Sequence, residues 1–293
     1  AMAADHDNLA QSQKEAMQLV RRVSPSQLNI PVNLPNHKLM LVRSRRSTIR
    51  LGDLKIRVIG PFQTDLEKLR DLWNKWLDDN KAAVKKLRDQ GVKDEHSIGN
   101  EVARLLNGMA ITAETFGDRG SVTPPNLASL MLHIEEQGRS YVMTGDGHYL
   151  DILKGLKHQK LMNRRYGEGA HVTVLKGQHH LSEHNWHEDF AKAITADHYI
   201  VCGNGMHENP DLGVVEILLN SRVGPAEKRS PNTEWNKPFT LWFNSSSSAT
   251  DNQTVQSHMK KVETMVKKAA RENPGRVNFN FLLNDDDSFG FSV

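Results

Sequence analysis

Residues 141–150, Tyr-Val-Met-Thr-Gly-Asp-Gly-His-Tyr-Leu, and residues 171–185, His-Val-Thr-Val-Leu-Lys-Gly-Gln-His-His-Leu-Ser-Glu-His-Asn, decide the reading of this chain. Each begins with β-branched and apolar residues, the composition of a short buried strand, and each then turns polar. The first delivers Asp146 between two glycines, and the second delivers His179, His180, Ser182 and His184. Carboxylate and imidazole groups at the ends of neighbouring strands are donors suited to a zinc-type ion with one position open to water. A further strand expected over 198–202 runs into Gly203-Asn204-Gly205-Met206-His207-Glu208-Asn209-Pro210 and repeats the arrangement.

Each of these residues also has a plain explanation. Asp146 precedes a helix expected from about 150 to 156, and an Asp in that place often serves as its cap. His207 in a glycine-rich loop is compatible with simple exposure. His-His pairs arise by chance in a chain with 14 histidines. The repeated order of apolar strand and donor-bearing turn favours a joint site over three coincidences.

Outward from this centre, the spacing predicts a helix near residues 9–20, an extended connection through Pro25, Pro31 and Pro35, and strands at 39–43, 47–51 and 54–59. Gly52-Asp53 between the last two is a hairpin signal. Residues 64–107 read as a charged helical insertion or lid, with Leu66, Leu69, Trp73, Trp76 and Leu77 on one face. A strand over 126–134 pairs with 141–143 through Gly138. Later elements are a helix around 190–194, a helix or strand at 214–219, a strand at 239–243, a flexible serine tract at 245–248, a helix over 254–270 and a strand over 277–283.

A chain of 293 residues can bury a substantial core. Its 38% hydrophobic and 25% charged composition is that of an ordinary globular protein, and no run has the length of a membrane span. The single cysteine, Cys202, excludes an internal disulfide and fits a reducing, cytoplasmic setting. A net charge of +3 permits an anionic substrate without requiring one.

The order Thr144-Gly145-Asp146, then Val174-Leu175-Lys176 with His179-His180 and Ser182, then Cys202-Gly203-Asn204-Gly205 with His207 and Asn209-Pro210, resembles the C-terminal half of a metallo-β-lactamase-superfamily hydrolase. The similar branch holds the nuclease-like domains of competence DNA-uptake proteins, and the likeness covers roughly residues 49–215. It implies an α/β fold, an αββα sandwich, present here without its first strands. Residues 1–235 would form that domain, and 236–293 a strand-helix-strand extension packed on it. Asp146 matches the bridging carboxylate, one of His179 and His180 the late histidine ligand, His207 a pocket histidine, and Ser182 a phosphate contact. Leu181 stands where the branch usually has glycine, which puts an amide-lined anion contact there in doubt.

The superfamily's HxHxDH motif has no intact copy. Ala1-Met2-Ala3-Ala4-Asp5-His6 matches its register with Asp5 and His6 kept and alanine at both leading histidine positions, through either a cloning scar or a double replacement. The resemblance implies a one- or two-ion site for Zn or Mn and metal-dependent cleavage of a phosphodiester in nucleic acid or a nucleotide, in a form left incomplete or inactive. It also leads to the expectation of a second polypeptide supplying the first strands, or of a homo-oligomer covering the same sheet edge. The competing expectation is a non-catalytic, degenerate domain that binds a partner protein.

Overall fold

In the computed structural model, which describes residues 22–24, 27–30, 39–44, 46, 48–79, 81, 118–283, 288, 290 and 291, the Gly52-Asp53 turn closes a hairpin. Its strands are β1 (Ile49–Leu51) and β2 (Leu54–Gly60), with Leu51 opposite Leu54. Gly52 takes φ 58°, the left-handed conformation that such a turn demands. After β2 come α1 (Gln63–Asp79), the short α2 (Pro124–Leu127), β3 (Met131–Glu136) and β4 (Arg139–Met143). Then α3 (Tyr149–His158), β5 (Ala170–Lys176), α4 (Glu188–Ala193) and β6 (Ile194–Val201) follow. The series ends with α5 (Leu212–Val223), β7 (Phe239–Phe243), α6 (Gln253–Glu272) and β8 (Val277–Phe281).

The protein is therefore α/β, and the eight strands among the described residues form one mixed sheet in the order β1 to β8. β1 to β4 pair antiparallel and β4 to β8 parallel. Parallel neighbours need a crossover, and α3, α4, α5 and α6 supply one each. β7, α6 and β8 thus continue the same sheet beyond residue 236.

Register defines the two faces. One row across the sheet is Arg57, His133, Val142, Leu175, Tyr199, Leu241 and Phe279. From Val142 onward this side shares one apolar core with Ile152 and Leu156 of α3, Phe190 of α4, Val214 and Leu218 of α5, and Val262 and Val266 of α6. Gly155 lets α3 lie directly on β2, since a Cβ there would come within 1.9 Å of the Ile59 carbonyl oxygen. In α6, His258, Met259, Val262 and Val266 are buried at the spacing of one helical stripe, and Asn252 caps the helix by accepting from the N–H groups of Thr254 and Val255. The opposite row is Ile56, Ile134, Tyr141, Val174, His198, Thr240 and Asn278, apolar from β2 to β5 and half-buried apart from the buried Val174 and the exposed Asn278.

Some expectations need correction. Residues 39–43 are not a strand; they run irregularly, and Val42 uses its N–H on the Pro61 carbonyl instead of a sheet partner. The strand expected from 126 begins only at Met131, because Pro124 and Pro125 start a helical turn in which a missing N–H costs nothing. Residues 214–219 lie in helix. The serine tract is packed: Ser245 and Ser246 are buried, and the Ser247 N–H donates to Glu263 Oε1 at 2.7 Å. Within the expected insertion, α1 is helical to Asp79, and residues 82–117 lie outside the described residues.

Contacts divide the chain into Ala1–Met40 with Leu66–Thr112, and Leu41–Asp65 with Ala113–Val293. The second unit holds the whole sheet. Among the described residues no helix is long and apolar enough to cross a membrane.

Candidate functional site

Because β4, β5 and β6 are parallel neighbours, the segments that leave them lie on one edge of the sheet. Ligand sites of open α/β sheets form at such carboxyl ends. The first segment is the turn 144–147. Gly145 takes φ 53°, and a Cβ on it would stand 2.9 Å from Ser129 Cβ. The Asp146 N–H donates to Ser129 Oγ at 3.1 Å, so the turn is seated on the segment that enters β3.

The second segment follows β5. His179, His180 and Leu181 all have positive φ, at 43°, 58° and 62°. Three successive non-glycine residues in the left-handed region are costly, at about 1–2 kcal/mol each. They throw the chain back so that the His179 N–H reaches the Gly145 carbonyl at 3.2 Å. Leu181 adopts the conformation glycine favours, yet its side chain is 1% exposed, packed against Gly177.

Asn185 joins the two segments. It is fully buried, and its Nδ2 donates to the carbonyls of Asp146 at 2.9 Å and Gly147 at 3.1 Å. His179 Nδ1 lies 2.6 Å from Asn185 Oδ1. Asn185 also donates its N–H to Ser182 and accepts from Gln178 Nε2 on its carbonyl. Lys176 adds its Nζ to the Gly145 and Gly177 carbonyls at 3.0 and 3.3 Å. Burial holds the His179 pKa below the ordinary histidine value, and the Asn185 hydrogen bond and the Asp146 charge pull it back only in part.

His180 is exposed and donates Nδ1–H to the Cys202 carbonyl at 2.6 Å, so the loop after β5 is tied to the loop after β6. His207 stands on that third loop, exposed, at φ 53°. Ser182 is 7% exposed, buried within the His179–Asn185 loop. The structure thus brings the segments of Asp146, His179, His180 and Ser182 into direct hydrogen-bond contact, with His207 on the adjoining loop. Asp5 and His6 lie outside the described residues. Among the described residues no group of three or more His, Cys, Asp and Glu side chains is placed to hold a metal ion. Both histidines have Nδ1 engaged, His179 on the Asn185 amide oxygen and His180 on the Cys202 carbonyl.

Sequence reasoning passed over Asn185, Lys176, Asn126 and Arg119. Asn126 Nδ2 lies 3.5 Å from His179 Nε2. Arg119 bridges two buried carboxylates, Asp65 at 2.6 Å and Asp151 at 2.9 Å, and so fastens the segment before α2 to the starts of α1 and α3. The only signal for Asn185 was a polar residue beside Trp186 at the end of the donor-rich stretch. Comparison with protein-family models, curated proteins and solved structures found no match for this chain.

Proposed function

We propose that this chain carries the C-terminal part of a metallo-β-lactamase-type hydrolase that cleaves phosphodiesters of nucleic acid or nucleotides. One observation carries the reading: the Asp146 turn, the His179-His180 loop and the His207 loop leave three adjacent parallel strands at the same edge and are tied to one another. The apolar row Ile56–Ile134–Tyr141–Val174 supports the αββα sandwich, because a second sheet would cover it.

Asp146 and one of His179 and His180 would hold the ion from this part of the chain. A bound Zn or Mn ion would polarise the phosphoryl oxygens and lower the pKa of water beside them. His207 would orient the substrate or carry a proton, since an exposed imidazole can do either near neutral pH. Lys176 would add positive charge beside the Asp146 turn.

The test is hydrolysis of bis(p-nitrophenyl) phosphate and of single-stranded DNA and RNA with Mn²⁺ or Zn²⁺, alongside equilibrium dialysis of the ion. At most one ion is expected per chain, and Asp146→Ala should abolish its retention; two tightly held ions would contradict the ligand set. Cleavage of thioesters or β-lactams alone would overturn the substrate class. With alanine at positions 1 and 3, turnover should be weak, and it should rise when histidine stands at both and the first strands of the sandwich are supplied. A second reading, a non-catalytic domain that binds a partner protein, is favoured by Leu51 and Met143, 64% and 41% exposed on the sheet face away from the core. Neither ion retention nor cleavage, even with those histidines in place, would support it.

A further inference from the structure

We infer that Asn185 is the positioning residue that places the proton of His179 on Nδ1 and leaves Nε2 as a lone pair, which faces Asn126 Nδ2 at 3.5 Å. The contacts of the Asn185 amide fix which way it points. Two of its contacts, the carbonyl oxygens of Asp146 and Gly147, are pure acceptors at 2.9 and 3.1 Å. Only the NH2 group can face them, because the carbonyl end of the amide would set three oxygens against one another. The amide oxygen therefore faces His179 at 2.6 Å, and an oxygen without hydrogens can only accept. His179 Nδ1 must supply the hydrogen.

The proton's place on the imidazole thus follows from the backbone of a turn 38 and 39 residues from Asn185 in sequence. Asn185 is fully buried and every polar atom it has is partnered, so it has no alternative arrangement at low cost. Its two sets of contacts also couple the Asp146 turn to the His179 ring. Displacing either one leaves buried donors or acceptors unpaired. His179 is in this way preorganised before any ligand arrives.

That Nε2 serves a metal ion rests on the function proposed above; the placement of the proton does not. The experiment therefore reads the two separately. In the ¹⁵N-labelled full chain at a fixed pH of about 7.5, two-bond ¹H–¹⁵N correlations should show the proton on Nδ1 and the lone pair on Nε2. The signal is assigned by its loss in His179→Ala. Asn185→Leu should move proton population toward Nε2 and weaken Mn²⁺ or Zn²⁺ binding by about 10–100-fold. Asn185→Asp keeps an acceptor against Nδ1 and should keep a proton there, although its carboxylate faces the two turn carbonyls and favours the charged ring, which carries a proton on Nε2 as well. A proton on Nε2 in the native chain, or an unchanged tautomer in a folded Asn185→Leu chain, would overturn the inference. If Asn185→Leu does not fold, the native chain and Asn185→Asp still decide. An Nδ1 proton in a chain that retains no metal would uphold Asn185 and defeat the metal reading instead.

Discussion

The backbone N–H of Asp211 donates to the carbonyl oxygen of Leu181 at 3.0 Å. This contact closes the His207 segment onto the His179-His180 segment at the point where the chain is most contorted. The same residue that accepts this bond is left-handed at φ 62° and almost wholly buried. Conformational strain and apolar burial therefore meet at Leu181, with opposite signs.

Leu181→Gly should separate them. Relief of the left-handed conformation is worth about 1–2 kcal/mol, whereas truncating a buried leucine costs about 2–5 kcal/mol. Burial outweighs strain at the middle of both ranges, and urea unfolding should show a net loss centred on about 2 kcal/mol. A glycine variant as stable as the native chain would mean that the loop is held by its hydrogen bonds alone.

Arg222 is fully buried, and all its guanidinium donors are engaged. Nε reaches the Trp235 carbonyl, Nη1 the Ala196 carbonyl and Tyr199 hydroxyl, and Nη2 the carbonyls of Glu234 and Lys237. It staples the segment between α5 and β7 to β6. Arg222→Met should cost at least about 3–5 kcal/mol, because several buried carbonyls lose their donors together. Arg222→Lys should restore little, since a point ammonium cannot reproduce a planar fork. Chemical denaturation of both variants checks this.

Arg119→Met should destabilise by about 3–5 kcal/mol, since Asp65 and Asp151, 2% and 4% exposed, would keep buried charges without a cation. Hydrogen exchange should rise first in residues 118–128, the segment that Arg119 fastens. Uniform acceleration across the sheet instead would show that the clamp is part of the global core.

His133 is buried, and its pKa is pushed down to about 4, mainly by burial and against the raising influence of Glu135. Between pH 4 and 6.5 the unfolded chain binds this proton and the folded chain does not. Stability from this group is thus complete above pH 6.5 and is lost as the pH falls toward 4. The whole span amounts to about 3 kcal/mol. In His133→Met this component should vanish from a series of unfolding curves across that range.

Much of the sheet was legible because its strands are short apolar runs bounded by Gly, Pro and Asp, as at 139–143, 170–176 and 239–243. The donor-bearing turns at their ends were legible for the same reason. The errors have local causes. Leu39-Met40-Leu41-Val42 has a strand's composition, but composition cannot say whether a partner strand is present. Asn185 looked like any loop asparagine because its partners, Asp146 and Gly147, are remote in sequence. The left-handed run at 179–181 was hidden because no glycine marks it; the fold imposes it through the burial of Leu181.

The agreement between strand order and chain order bears on how the molecule is made. Each of the strands β3 to β8 docks on its immediate predecessor. On the ribosome every new strand therefore meets an edge that has already emerged, and no strand waits for a later one to fill a gap. Such neighbour-only pairing keeps contacts short-range for a sheet of this size, which favours rapid folding. The one long excursion leaves at Gly60 and returns at Met131. Its closure cost grows only with the logarithm of its length. Sequence added between those two residues burdens the assembly far less than the same length inserted between any pair of the parallel strands.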